Sequence, residues 1–194
     1  MRDYTCCCIT ATCAIVVGLV IVLPIVLTIT LNVRPSIEDA TLTRFVLVPK
    51  PTSISYNLST VIRLYNPNYY YGIYFDSLEA NFLFEGQRFD WVTLPTFYQH
   101  PKKTNIFRPV IGGDSIDITL GTTGLDNFVS ENRTGVFNLE VQLSAHIRYK
   151  PNKYHCELLA RCPFTVQLGT GSTGKNSFER AKCDVEYPNA SDDC

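Results

Sequence analysis

From Tyr4 to Val33 no residue carries a formal charge, and residues 9–33 read ITATCAIVVGLVIVLPIVLTITLNV, a run dominated by Ile, Val and Leu. As a helix, these 25 residues would rise roughly 37 Å at about 1.5 Å per residue, somewhat more than the roughly 30 Å hydrocarbon layer. The run is therefore long enough to cross a bilayer with tilt, and Pro24 is where a kink is expected. A cleavable signal peptide has an apolar run of about 7 to 15 residues and a small-residue cleavage site. Here the run is longer and passes into LNVRPSIEDA without an A-x-A pattern. A core helix would show a polar face, whereas this segment is apolar all round apart from its threonines and Asn32. The sequence predicts residues 1–8 as a tail, 9–33 as a retained transmembrane signal-anchor, and 34–194 as the domain it holds.

Arg2 and the amino terminus on one side compete with Arg34, Arg44 and Lys50 on the other, so the positive-inside rule does not decide the orientation. Two other features point to a cytosolic N-terminus. Asn57-Leu-Ser, Asn132-Arg-Thr and Asn189-Ala-Ser are N-glycosylation acceptors if they face the secretory lumen, and ordinary surface asparagines if they do not. Cys156, Cys162, Cys183 and Cys194 lie far beyond the run, where an oxidising compartment would pair them in one of three complete connectivities. No C-x-x-C occurs among these four, which argues against zinc. Cys6, Cys7 and Cys8 stand at the cytosolic edge, with Cys13 a little inside. They read either as palmitoylation sites, whose acyl chains would enter the bilayer with the helix, or as apolar filler.

Past the run, roughly 160 residues can bury a substantial core as one domain. A net charge of −1 and the lack of RNP-like or zinc-finger patterns exclude nucleic acid as the main partner.

Residues 136–149 alternate strictly: Leu139, Val141, Leu143, Ala145, Ile147 and Tyr149 against Glu140, Gln142, Ser144, His146 and Arg148, a half-buried strand. Residues 76–85 alternate through Leu78, Ala80, Phe82 and Phe84, then Glu85-Gly86-Gln87-Arg88 reads as a tight turn into residues 89–94, giving a hairpin. Residues 53–64 form another strand, ended by the Asn66-Pro67-Asn68 turn. Further strands are expected at 41–48, 104–111, 154–168 and 181–187, with a bend at Pro49-Lys50-Pro51 and one helix at 117–131. The expected fold is mainly β: an antiparallel β-sandwich with one helix behind the N-terminal transmembrane helix.

The runs Asn66-Pro67-Asn68, Gly72-Ile73-Tyr74-Phe75-Asp76-Ser77-Leu78, Phe84-Glu85-Gly86-Gln87-Arg88-Phe89 and Leu94-Pro95-Thr96-Phe97-Tyr98-Gln99 resemble the harpin-induced-like group of plant type 2 late embryogenesis abundant proteins. The segment around Cys162 and the closing Lys182-Cys183-Asp184-Val185 extend the resemblance over the whole chain. It implies a fibronectin- or immunoglobulin-like sandwich outside the plant plasma membrane, tied to pathogen defence, the hypersensitive response and abiotic stress, with no enzyme activity and no cofactor. It also implies that Cys162 pairs with Cys183, one on each of the last two strands, leaving Cys156 and Cys194 as extras. The short tail departs from many relatives.

The residues themselves offer little chemistry. His100, His146 and His155 are the only histidines, and no nucleophile elbow or H-E-x-x-H occurs. Residues 169–174 are a literal G-x-G-x-x-G, but they link strands and lack the helix N-terminus that a pyrophosphate needs. Asp114 and Asp117 suit turn and helix-start roles. Tyr69, Tyr70 and Tyr71, followed by Tyr74 and Phe75, are the one unusual surface candidate, read either as strand packing or as an aromatic contact platform. The leading expectation is a membrane-anchored cell-surface protein that works through a protein partner, and a homo-oligomer is compatible with it. The alternative is a ligand-binding module, holding lipid between its sheets or cell-wall carbohydrate on its tyrosines.

Overall fold

Alternation with a period of two dictates most of the structure. The computed structural model describes residues 13–23, 30–49, 52–151, 155–169 and 178–188. The strictest alternating stretch is one strand, Val136–Lys150, in which Phe137, Leu139, Val141, Leu143, Ala145, Ile147 and Tyr149 are buried while Asn138, Ser144, His146 and Lys150 face water. In chain order the strands are β1 (Arg34–Pro49), β2 (Thr52–Tyr65), β3 (Gly72–Phe84), β4 (Gln87–Leu94), β5 (Phe97–Gln99), β6 (Thr104–Phe107), β7 (Val110–Asp117), β8 (Val136–Lys150), β9 (His155–Gln167), β10 (Ala181–Lys182) and β11 (Asp184–Glu186). Two helical segments accompany them, α1 over residues 13–23 and α2 (Thr122–Thr134).

Neighbouring strands pair antiparallel throughout, in two sheets. One runs β10-β1-β2, with β6 and β7 end to end along the far edge of β2. The other runs β11-β9-β8-β3, and there β4 and β5 share the far edge of β3. The inward faces of both sheets meet in a single apolar core. β1 begins, β2 ends, β3 begins and β8 ends at the same extremity, here termed proximal because the N-terminal chain comes in there. At the opposite, distal extremity, Phe128 of α2 lies 5.9 Å from Phe45, whose ring is 4.8 Å from Phe137 and 5.3 Å from Phe84. Edge-to-face contacts of this kind favour aromatic clusters, and α2 closes the core with them. Gly135 ends the helix at φ 70°, its N–H donating to Glu131 O, because the left-handed cap suits glycine.

The hairpin between β3 and β4 turns on Glu85 and Gly86, at φ 50° and 72°, the doubly positive backbone that two-residue hairpin loops require. Four expectations need correction. The helix expected at 117–131 runs from Thr122 to Thr134, because Asp117 is the last residue of β7, opposite Ser53, and Gly121 is the N-cap. The strand expected at 104–111 is interrupted at Arg108-Pro109, since proline cannot donate to a ladder. The strand expected at 181–187 is two short strands in different sheets, β10 on β1 and β11 on β9. Finally, the helix expected to run through Val33 does not reach it: residues 30–33 are not helical, and Val33 is only 1% exposed, packed in the domain core. Among the described residues no helix is long and apolar enough to cross a membrane. Residues 9–12 and 24–29 of the expected span lie outside the described residues.

Candidate interaction surface

The Asn66-Pro67-Asn68 turn joins β2 to β3 and has no exposed asparagine side chain. Asn66 Nδ2 donates to Tyr71 O at 2.9 Å, and its Oδ1 accepts from the backbone N of Asn68 at 3.0 Å and from Asn68 Nδ2 at 2.8 Å. Asn68 reaches across to the incoming chain, accepting from Leu31 N at 2.6 Å and donating to Leu31 O at 2.8 Å. Leaving such buried amide groups without partners would cost stability, and these hydrogen bonds avoid that cost. Gln99, also fully buried, donates to Leu64 O and Lys103 O, tying the neighbouring loop into the same network. The turn thus clamps the segment that connects α1 to the sandwich.

With Asn68 held, the next residues have fixed directions. Tyr69 and Tyr70 stand in solvent, 66% and 54% exposed, whereas Tyr71 turns inward at 5% and meets Tyr149 with ring centroids 6.4 Å apart. The Lys102 ammonium lies 3.3 Å from the centroid of the Tyr69 ring, a cation–π contact. The three tyrosines therefore divide into two surface rings and one core ring. Tyr149 in turn lies beside Tyr187, hydroxyls 3.5 Å apart, and burial pushes both phenols above their ordinary range.

A second aromatic group runs over the outer face of β3 and β5. Tyr74 and Tyr98 are 4.4 Å apart between centroids, and His100 follows edge-on at 4.7 Å. Lys150 is 5.9 Å from both tyrosine rings, and Arg148 is 5.3 Å from Tyr74. Gly72 has no side chain because a Cβ there would strike the Tyr98 ring. A bulge in β3 between Phe75 and Ser77 turns Asp76 outward, where it forms a two-pronged ion pair with Arg148. The Arg148 guanidinium holds the Asp76 carboxyl below its usual range. The sequence singled out Tyr74 but not Tyr98, His100, Arg148 or Lys150, which join it only through the β3–β5 and β3–β8 registers.

Between the incoming segment and β10 lies a cleft of about 820 Å³, lined by Arg34, Arg63, Arg180, Lys182 and Asp184 among others. A bulge in β1 lifts Glu38 toward it, where Glu38 accepts from Ser36 Oγ at 2.8 Å and pairs with Arg180 at 3.0 Å.

Cys162, the β9 residue that the family resemblance pairs with Cys183, is disulfide-bonded to it, Cα atoms 4.2 Å apart. Cys183 sits between β10 and β11 rather than on either strand. Cys156 is also disulfide-bonded. Cys194 and Cys6, Cys7 and Cys8 lie outside the described residues, and Cys13 is an exposed free thiol on α1. Asn57 is exposed in mid-β2 and Asn132 in the last turn of α2, while Asn189 lies outside the described residues. Of the G-x-G-x-x-G run only Gly169 is described. Asp114 is not at a helix start: it lies in β7 and pairs with Arg44 at 2.8 Å. His146 is exposed, 3.9 Å from Glu157. Among the described residues no cluster of His, Cys, Asp or Glu is placed to hold a metal ion.

No family model matches the chain. Among curated proteins, NDR1/HIN1-like protein 10 of Arabidopsis thaliana is 30% identical over 202 residues, covering 96% of this chain and 87% of that protein. NDR1/HIN1-like protein 3 of the same plant is 28% identical over 78% of this chain and 66% of its own length, and NDR1/HIN1-like protein 2 is 25% identical over 77% and 64%. A solved structure from Archaeoglobus fulgidus covers 69% of the chain at a TM-score of 0.32 and 12% identity, too loose a likeness to argue from. Identity at this level, carried from the apolar N-terminal run to the closing strands, makes this chain a member of the NDR1/HIN1-like family.

Proposed function

We propose that the chain is a single-pass, membrane-anchored protein of the plant cell surface that serves defence and stress responses through contacts with other proteins, without catalysis. The observation that carries the anchor is α1. Ile15, Val16, Val17, Leu19, Val20, Ile21, Val22 and Leu23 are each more than half exposed, on every side of a helix that none of the described residues covers. Water disfavours such a surface, and the apolar residues 9–29, ahead of the non-helical 30–33, number 21, about the length a span needs. The Cys162–Cys183 bond and the bonded Cys156 support an extracellular domain and a cytosolic N-terminus, because disulfides persist in oxidising compartments. The plasma membrane and the hypersensitive response come with the family resemblance.

Protease protection with endoglycosidase treatment on intact membranes tests the reading. A protected domain is expected, with a glycan-dependent mobility shift that the Asn57→Gln, Asn132→Gln, Asn189→Gln triple variant loses. A protease-exposed, unglycosylated domain overturns it and moves the partner search to the cytosol.

A second reading, binding of cell-wall carbohydrate, is favoured by the Tyr74–Tyr98–His100 row, since sugar rings stack on aromatic faces presented to solvent. Retention of the protein on wall polysaccharide, lost in Tyr74→Ala, would support it. The lipid-binding alternative gains nothing from the sheets, whose facing sides are packed with side chains such as Phe45, Phe84 and Phe137.

A further inference from the structure

The proximal end of the sandwich differs in chemistry from the distal one. Exposed around it are Tyr69 and Tyr70 with Arg34, Lys102, Lys103 and Lys150. Around the distal end the charges are mixed: Glu85, Asp114, Asp117 and Asp126 stand there with Arg88 and Arg133. Arg44 pairs with Asp114 at 2.8 Å, which tempers the acidity there, whereas Lys102 rests on a tyrosine ring.

The clamp fixes where this basic, aromatic end sits relative to the apolar run. Leu31 is held through both backbone groups by Asn68, and Tyr69 and Tyr70 are the next two residues of that loop. The rings therefore stand beside the point at which the run meets the domain. Seven residue steps separate Leu23 of α1 from Thr30, a reach of no more than about 25 Å even when fully extended. A helix held in a bilayer thus keeps the proximal end close to the headgroups. Tyrosine is enriched at that depth on both sides of a membrane because its ring is apolar and its hydroxyl is wet, and the long lysine and arginine side chains can reach the phosphate oxygen of a headgroup even where the lipid is zwitterionic, as on an extracellular leaflet.

We propose that the proximal end, led by Tyr69, Tyr70 and Lys102, rests in the headgroup layer of the membrane that holds the anchor, with lipid phosphates meeting its basic side chains. The proposal rests on the anchored reading given above. It makes the domain a body seated on the bilayer, with α2 and the distal loops directed away from it.

The chain carries its own reference for a test, because Trp91 is its only tryptophan and lies on β4 toward the distal end, opposite Asn81 and 56% exposed. The full chain is reconstituted into vesicles of phosphatidylcholine, with and without phosphatidylserine, that carry a nitroxide on the lipid headgroup, and flotation is measured alongside fluorescence. Wild type reports the distal region through Trp91. The Tyr69→Trp, Trp91→Phe variant and, independently, the Tyr70→Trp, Trp91→Phe variant report the proximal loop at exposed positions that tolerate the change. Quenching about threefold stronger in both variants than in wild type is expected already on phosphatidylcholine alone, the lipid charge of an extracellular leaflet, and a difference that needs phosphatidylserine overturns the seating on that leaflet. Equal quenching in vesicles that float with the protein overturns the proposal and leaves the anchor standing, and an extracellular protein partner is then the better occupant of the tyrosines. Failure to float removes the anchored reading and this proposal together.

Discussion

Cys183 lies where the last stretch of chain passes from one sheet to the other, and its disulfide fastens that crossing to Cys162 in the middle of β9. Upstream of the bond, β10 pairs with β1; downstream, β11 pairs with β9. The backbone N of Cys183 also donates to Pro35 O at 3.4 Å, so the same residue touches both layers. Two strands of two and three residues are too short to hold themselves in place.

The Cys162→Ser, Cys183→Ser double variant should therefore lose about 3 kcal/mol, the loop-entropy value for a closure of this length. Urea denaturation followed by tyrosine fluorescence checks the loss. The change should also release the segment after Phe178 to rapid hydrogen exchange while β8 stays protected. Uniform loss of protection across the domain would show that the bond holds more than the crossing.

Asn68→Ala removes two hydrogen bonds to Leu31 and leaves Asn66 Oδ1 with fewer donors. A cost of about 1 to 3 kcal/mol is expected for unsatisfied buried groups. Hydrogen exchange of peptides covering residues 30–36 should rise sharply, and exchange around α2 should not. Unchanged exchange at Leu31 would remove the clamp from this account.

Phe128→Ala should cost about 3 to 5 kcal/mol, because it deletes the ring that closes the distal cluster around Phe45, Phe84 and Phe137. Val129→Ala, one residue on and 50% exposed, should change stability by no more than about 0.5 kcal/mol. Equal losses would mean that α2 contributes through its helix rather than through that ring.

The Asp76–Arg148 pair predicts a pH signature. The folded state holds Asp76 below its unfolded value, so the folded chain releases this proton more readily and gains stability above the unfolded pKa of about 3.9. That gain disappears as pH falls through the lower folded value. Stability curves of wild type and Asp76→Asn should accordingly be separated at neutral pH and converge below about pH 4, with the separation reduced by salt. Curves that stay parallel down to acid would assign the difference to the bulge rather than to charge.

The sheets were legible wherever one face of a strand is buried. Leu78, Ala80, Phe82 and Phe84 alternate in the sequence and are buried in the structure, since the pleat sends every second side chain inward. Partnership was less legible. Residues 181–187 look like one strand, and no local pattern tells that Lys182 faces Ser36 in one sheet while Val185 faces Ala160 in the other. Hydropathy likewise does not distinguish Val33, which packs into the protein core, from the apolar residues preceding it. The acidic pair Asp114 and Asp117 resembled a helix start because such residues cap helices, but both lie in β7, Asp117 opposite Ser53 of β2 and Asp114 in the bulge that breaks that ladder. At the surface, a tyrosine triplet was visible, and the inward turn of Tyr71 was not, because it depends on long-range contacts, its carbonyl held by Asn66 and its ring set against Tyr149.

β1 has a mechanical consequence of its own. It carries the domain's connection to the N-terminal chain and pairs with β2 at fourteen registers, from Arg34↔Tyr65 to Pro49↔Thr52. Ladder hydrogen bonds of an antiparallel pair lie perpendicular to the strands. Tension between the N-terminal chain and the distal end therefore runs along β1 and strains these bonds together in shear, instead of peeling them one after another. With Leu31 fastened to Asn68 ahead of the ladder, a pull on the N-terminal chain loads the turn and the whole length of β1 together rather than the first residue of the strand alone.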